Sequence, residues 1–96
     1  MYKGDWVNGT WEGKGRLYHT SGKVYYEGSF LQGRRDGFGK QYWEEGEIRY
    51  NGNWRYDMQT KFGESFYPNG MVEYKGNWNE GDFDGKGILY DDKGNV

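Results

Sequence analysis

Glu80, Asp82 and Asp84 stand at alternate positions in a glycine-bearing stretch, and carboxylates so spaced are the groups that ligate calcium or share acid and base duties. The other ingredients of catalysis are scarce. His19 is the only histidine and there is no cysteine, so zinc sets and the common nucleophile–base pairs lack most of their members. No Gly-x-Gly-x-x-Gly segment opens a helix, which removes the nucleotide-loop explanation of the glycines. Glu80, Asp82 and Asp84 also occupy a place that carries Arg34, Arg35 and Asp36 earlier in the chain, as expected of a solvated hairpin loop. Asp91-Asp92 and Glu44-Glu45 take the same explanation. The expectation is a chain with no catalytic residues, no cofactor and no metal site. A carboxylate-dependent hydrolase using Asp82 or Asp84 is the remaining enzymatic alternative.

What must position any functional group here is a repeat. Tyr2, Tyr26, Tyr50 and Tyr74 recur every 24 residues, each followed by Gly4, Gly28, Gly52 or Gly76 and then by Trp6, Phe30, Trp54 or Trp78. Later in each unit come Gly15, Gly39, Gly63 and Gly87, then Tyr18, Tyr42, Phe66 and Tyr90, then Gly22, Gly46, Gly70 and Gly94. A fixed period of this size marks stacked supersecondary units. The chain divides into units 2–25, 26–49, 50–73 and 74–96 within a single domain, 1–96.

Composition sets the secondary structure. With ten Tyr, five Trp, eighteen Gly, one Pro and no Ala, helix is disfavoured and an aromatic core replaces an aliphatic one. The net charge of −2 carries no long run of one sign, so no nucleic-acid footprint and no polybasic anchor is visible. No apolar stretch resembles a signal peptide or spanning helix, and a cytoplasmic location is expected.

The first half of each unit alternates with a period of two, as in Val24, Tyr26, Gly28 and Phe30, and ends at a turn signal such as Asn8-Gly9, Gln32-Gly33 or Glu80-Gly81. After a short loop, a second strand is predicted over about 13–18, 37–43, 62–67 and 85–90. The result is an all-β antiparallel β-meander of four 24-residue hairpin repeats. Strand glycines leave bare backbone for a neighbouring ring to cover. Trp6, Phe30, Trp54 and Trp78 form one aromatic ladder and Tyr18, Tyr42, Phe66 and Tyr90 a second, with their faces undetermined.

The frame Tyr-x-Gly-x-Trp-x-x-Gly followed by Gly-x-Gly, best seen in Tyr26 to Gly39 (YEGSFLQGRRDGFG), resembles the MORN (membrane occupation and recognition nexus) repeat. The resemblance extends over all four units and is similar to that of small bacterial-type standalone arrays, some of them antitoxin-like. It implies an elongated, single-layer sheet, without catalytic activity, used for protein contacts and in some cases for phospholipids. The third unit departs from the frame, because Asp57 and Lys61 stand where the others have glycine. The geometry of the Tyr56 to Lys61 loop is therefore open.

Large residues that do not recur need a reason other than the fold. Trp11 aligns with Arg35, Gln59 and Phe83; Trp43 with His19 and Asp91; Phe38 with Lys14 and Lys86; Tyr56 with Asn8, Gln32 and Glu80. Aromatics and arginine are the residues most enriched at interface hot spots. Trp11, Arg34, Arg35, Phe38, Trp43, Tyr56 and Phe83 are accordingly the candidate partner-binding residues, with Trp11, Arg34, Arg35, Tyr56 and Phe83 expected in loops. Local packing stays open as an alternative for Trp43 and Phe38. The expected function is protein–protein interaction, as a small adaptor or an inhibitor that occludes a larger partner. A peripheral phospholipid-binding module is the alternative, set back by the presence of one basic pair, Arg34-Arg35, in the four loops. A homodimer through the Tyr2 to Trp6 edge or the aromatic face is also expected, since a bare strand edge recruits other chains.

Overall fold

Two-residue turns organise the molecule. The computed structural model describes residues 2–96. Strands β1 (Tyr2–Val7), β2 (Thr10–Tyr18), β3 (Val24–Leu31), β4 (Arg34–Tyr42), β5 (Ile48–Arg55), β6 (Met58–Phe66), β7 (Val72–Asn79) and β8 (Asp82–Leu89) make one antiparallel sheet in chain order, with no helix among the described residues. Its extents are 46 × 29 × 14 Å, so the sheet is elongated and one layer thick.

Each of the four hairpins closes through two residues at positive φ: Asn8-Gly9, Gln32-Gly33, Tyr56-Asp57 and Glu80-Gly81. Positive φ at both central positions is the I′ signature, whose twist suits the flanking strands. The second strands therefore begin at Thr10, Arg34, Met58 and Asp82, earlier than alternation alone suggested. Trp11, Arg34, Arg35 and Phe83 are strand residues, not loop residues; only Tyr56 sits in a turn. Their segments escaped the strand pattern because of a bulge. Gly4 faces Gly15 and Trp6 faces Trp11, so Glu12, Gly13 and Lys14 together oppose Asp5 alone. Such an insertion breaks the period of two while the strand continues.

The third hairpin keeps this geometry without its glycines. Asp57 has φ 65° and Lys61 φ 54°, the left-handed conformation that Gly33 and Gly37 adopt in the second hairpin. The two-residue turn is kept, but the bulge moves, since Asn53 pairs with Thr60 and leaves Lys61 and Phe62 unopposed, and the departure in sequence costs strain at two side-chain-bearing residues.

Across the sheet runs an unbroken row of paired glycines, Gly4, Gly15, Gly28, Gly39, Gly52, Gly63, Gly76 and Gly87. Over it lie the tyrosines. A methyl group added at Gly39 would collide with the Tyr26 ring, and one at Gly63 with Tyr50. Each phenol then donates to a carbonyl three residues on: Tyr2 to Asp5 at 2.8 Å, Tyr26 to Ser29 at 3.0 Å, Tyr50 to Asn53 at 3.0 Å and Tyr74 to Asn77 at 2.9 Å. The rings covering the strand glycines are thus these tyrosines. Between hairpins, the next aromatic meets each tyrosine edge-on: Phe30 on Tyr2, Trp54 on Tyr26 and Trp78 on Tyr50, at centroid distances of 5.0, 5.4 and 5.2 Å. Edge-to-face contact aligns the ring quadrupoles. The indoles also donate, Trp54 to the Gly39 carbonyl at 3.2 Å and Trp78 to Gly63 at 3.1 Å.

The two ladders lie on opposite faces. Tyr2 pairs with Leu17, which places Leu17, Gln41, Ser65 and Leu89 on the face of the buried tyrosines. Tyr18, Tyr42 and Phe66 follow one residue later and point the other way. In the first ladder Phe30, Trp54 and Trp78 are buried, whereas Trp6, on a strand with one sheet neighbour, is 57 % exposed.

Candidate functional site

The front face, that of the buried tyrosines, carries a further row opposite the first ladder: Trp11, Arg35, Gln59 and Phe83, paired with Trp6, Phe30, Trp54 and Trp78. Trp11 stacks on Tyr2 with centroids 4.7 Å apart and planes 6° from parallel, and Phe83 stacks on Tyr74 at 4.1 Å and 12°. Arg35 fills the same position with a guanidinium. Its Cζ lies 4.4 Å from the Trp54 ring centroid; Nη1 donates to Tyr25 Oη at 3.2 Å, Nε to Asp57 Oδ1 at 3.1 Å and Nη2 to the Asp57 carbonyl at 3.1 Å. These three residues differ in identity but share one place, a group set against the aromatic row beside its tyrosine. Aligning residue types alone hides such a shared place.

At the connecting-turn end, Trp43 likewise has a structural duty. Its indole donates to the Phe66 carbonyl at 3.3 Å, as the Tyr67 hydroxyl does to the Tyr90 carbonyl at 2.6 Å. The Arg49 guanidinium lies 4.5 Å over the Trp43 ring. Trp43, Tyr67, Tyr50, Trp78, Gln59 and Phe83 surround a hollow of about 310 Å³ whose rim also holds Arg49, Ser65, Glu73 and Gly81.

Arg34, Phe38 and Tyr56 lie apart from that face. Arg34 and Arg55 approach the exposed Tyr56 ring to 5.8 and 5.2 Å at the hairpin-turn end. Phe38 is exposed on the back face, on the wall of a broad hollow of about 670 Å³ with Tyr18, Lys3, Lys14, Arg16 and Lys40. Glu27 accepts from Arg16 there at 2.6 Å, leaving three lysines around the bare glycine backbone. This basic group lies on strands rather than in the hairpin loops, and is not among the candidate residues. Strand parity is the signal that finds it, since Lys3, Arg16, Glu27 and Lys40 are successive cross-strand partners.

Ionisation follows burial. Desolvation pushes the Tyr26 phenol far above its ordinary range, only partly offset by the Arg35 charge, and does the same to Tyr50. Backbone N–H donors of Asn95 and Lys93 hold the Asp91 carboxyl below its usual value. Asp82 and Asp84 are exposed on β8, and no three His, Asp or Glu side chains converge to hold a metal ion among the described residues.

The family model described as the MORN repeat matches residues 2–24, 26–48 and 74–96. These spans are the units whose hairpin turns end in glycine, Gly9, Gly33 and Gly81. No curated protein sequence matches the chain.

Proposed function

Because the chain belongs to the MORN repeat family, whose repeats generally serve protein or membrane-lipid interaction and are typically non-enzymatic, we propose that it is a non-catalytic protein-binding module. In its concrete form it is a small adaptor or an inhibitor that occludes a larger partner through the front face. One observation carries this: a face paved with aromatic rings belongs to a single sheet 14 Å thick, with no second layer over it among the described residues. The tyrosines, Phe30, Trp54 and Trp78 are shielded by one another, and the two ends of the row, Trp6 and Phe83, are left for a partner to cover. Trp6, 57 % exposed, Phe83, 46 % exposed, and the half-buried Trp11 and Trp43 are the side chains such a partner meets.

The test uses residues the chain already tolerates at the same register. Phe83→Gln copies Gln59, and Trp43→His copies His19. Both variants are expected to keep the β spectrum, with a lower melting temperature for Phe83→Gln from the lost stacking on Tyr74, and to lose about tenfold or more in affinity for a partner captured by the unmodified chain. Full retention of binding by both variants overturns the front-face proposal.

The back-face lysines favour phospholipid as a second ligand. Lys14→Ala with Lys40→Ala tests it by sedimentation with phosphatidylserine vesicles, and binding that is unaltered removes it. Arg35 does not suit that test, since its side chain is only 15 % exposed and holds the second hairpin to the third.

A further inference from the structure

The second and third hairpins differ in one respect that points to a ligand. In the second, the space above Tyr26 and before Trp54 is filled by the Arg35 guanidinium, which lies 4.4 Å from the Trp54 ring centroid and is bonded to Tyr25 and Asp57. One repeat later the same register holds Tyr50, Trp78 and Gln59. Gln59 supplies no planar cation, and the space is the hollow of about 310 Å³. The stacking surface persists, because Trp78 is fixed by its bond to Gly63 just as Trp54 is fixed by its bond to Gly39.

We propose that this hollow receives the guanidinium of an arginine supplied by a protein partner. Within the chain, Arg35 shows the pose: Cζ 4.4 Å from the indole centroid, with N–H groups donated to Tyr25 and Asp57 at the rim. In the hollow, the Gly81 carbonyl corresponds to that of Asp57, which accepts from Arg35 Nη2. The Glu73 carboxylate, which already accepts from Ser65 Oγ at 3.0 Å, supplies the counter-charge. The one cation in the lining, Arg49, lies over Trp43 on the same rim, 4.5 Å from its ring centroid. A planar guanidinium stacks on an aromatic and forks onto carboxylate and carbonyl oxygens, which an ammonium cannot match. This inference rests on the front face being a protein-binding surface and names the side chain that binds there.

The experiment titrates the capped peptide Gly-Arg-Gly into the protein and follows the indole N–H resonances of Trp78 and Trp43 by NMR, with Gly-Lys-Gly and the uncharged citrulline peptide as controls. Saturable movement of the Trp78 resonance with the arginine peptide is expected, about tenfold weaker with the other two. Glu73→Gln should weaken it several-fold. Gln59→Arg should abolish it by filling the hollow from within, and Gln59→Trp, which copies Trp11, is the second filling variant should the first fold poorly. No response, equal response to the lysine or citrulline peptide, or a response that survives both filling variants overturns the proposal. Partner capture separates the two ideas: if Gln59→Arg retains the partner while Phe83→Gln loses it, the face binds protein and the arginine site falls.

Discussion

The Tyr67 hydroxyl donates to the Tyr90 carbonyl at 2.6 Å, one repeat further along the chain. Trp43 makes the same reach to Phe66, and His19 Nε2 lies 3.4 Å from the Tyr42 carbonyl. Each connecting turn is thus tied to the end of a strand in the following hairpin. Tyr67→Phe removes one tie and leaves the ring, and should lower stability. Urea unfolding measures the loss, and amide exchange should place it at the β8 end of the sheet rather than at β1.

Two glycines separate steric need from backbone need. Gly39 lies beneath the Tyr26 ring, so Gly39→Ala forces the ring or the sheet to move and should cost about 3 kcal/mol or more. Gly22 has φ 93° with open space around it, so Gly22→Ala carries backbone strain alone, about 1 kcal/mol. Equal losses in thermal or urea unfolding would contradict the account of the glycine row.

The third hairpin offers a pair of opposite sign. Lys61→Gly relieves a left-handed side-chain-bearing residue and should stabilise by about 0.5–1 kcal/mol. Asp57→Gly relieves similar strain but removes the carboxylate that accepts from Arg35 N at 2.7 Å and Nε at 3.1 Å, and should destabilise by about 1 kcal/mol net. Melting temperatures that move in the same direction for both would refute this division.

Alkaline stability follows from the buried phenols. Tyr26 and Tyr50 hold their protons well above the ordinary 10.0, so the unfolded chain ionises first and the folded state binds more protons. Their contribution is complete below about pH 10 and falls as pH rises, by about 1.4 kcal/mol per pH unit for each phenol. Tyrosinate absorbance followed alongside circular dichroism should show these two ionising only as the sheet unfolds. Early ionisation with the sheet intact would count against their burial.

In the 96-residue chain β1 has a sheet neighbour on one side only, and Trp6 on it is largely exposed. Self-association through the Tyr2 to Trp6 edge is expected at tens of micromolar in sedimentation. Trp6→Lys should suppress it, since an edge charge discourages strand addition. A monomer at all concentrations would remove the dimer from consideration.

Strand type, hairpin order and the spacing of the buried rings were legible in the chain, because a period of two inside a period of 24 is a local property. The residues from Thr10 to Lys14 were not, because a bulge shifts side-chain parity without ending the strand, and its cause is the pairing of Gly4 with Gly15 and Trp6 with Trp11 across the hairpin. Likewise Asp57 and Lys61 gave no sign of the left-handed backbone they adopt; turn length and the pairing on either side impose it. Trp11, Arg35, Trp43 and Phe83 stood out as irregular residues, yet their common work emerges only when Tyr2, Trp54, Phe66 and Tyr74 are set beside them. Identity repeats where a side chain must fit one shape, as over the glycine row. Where any plane or any donor suffices, only contacts in space reveal the repeat.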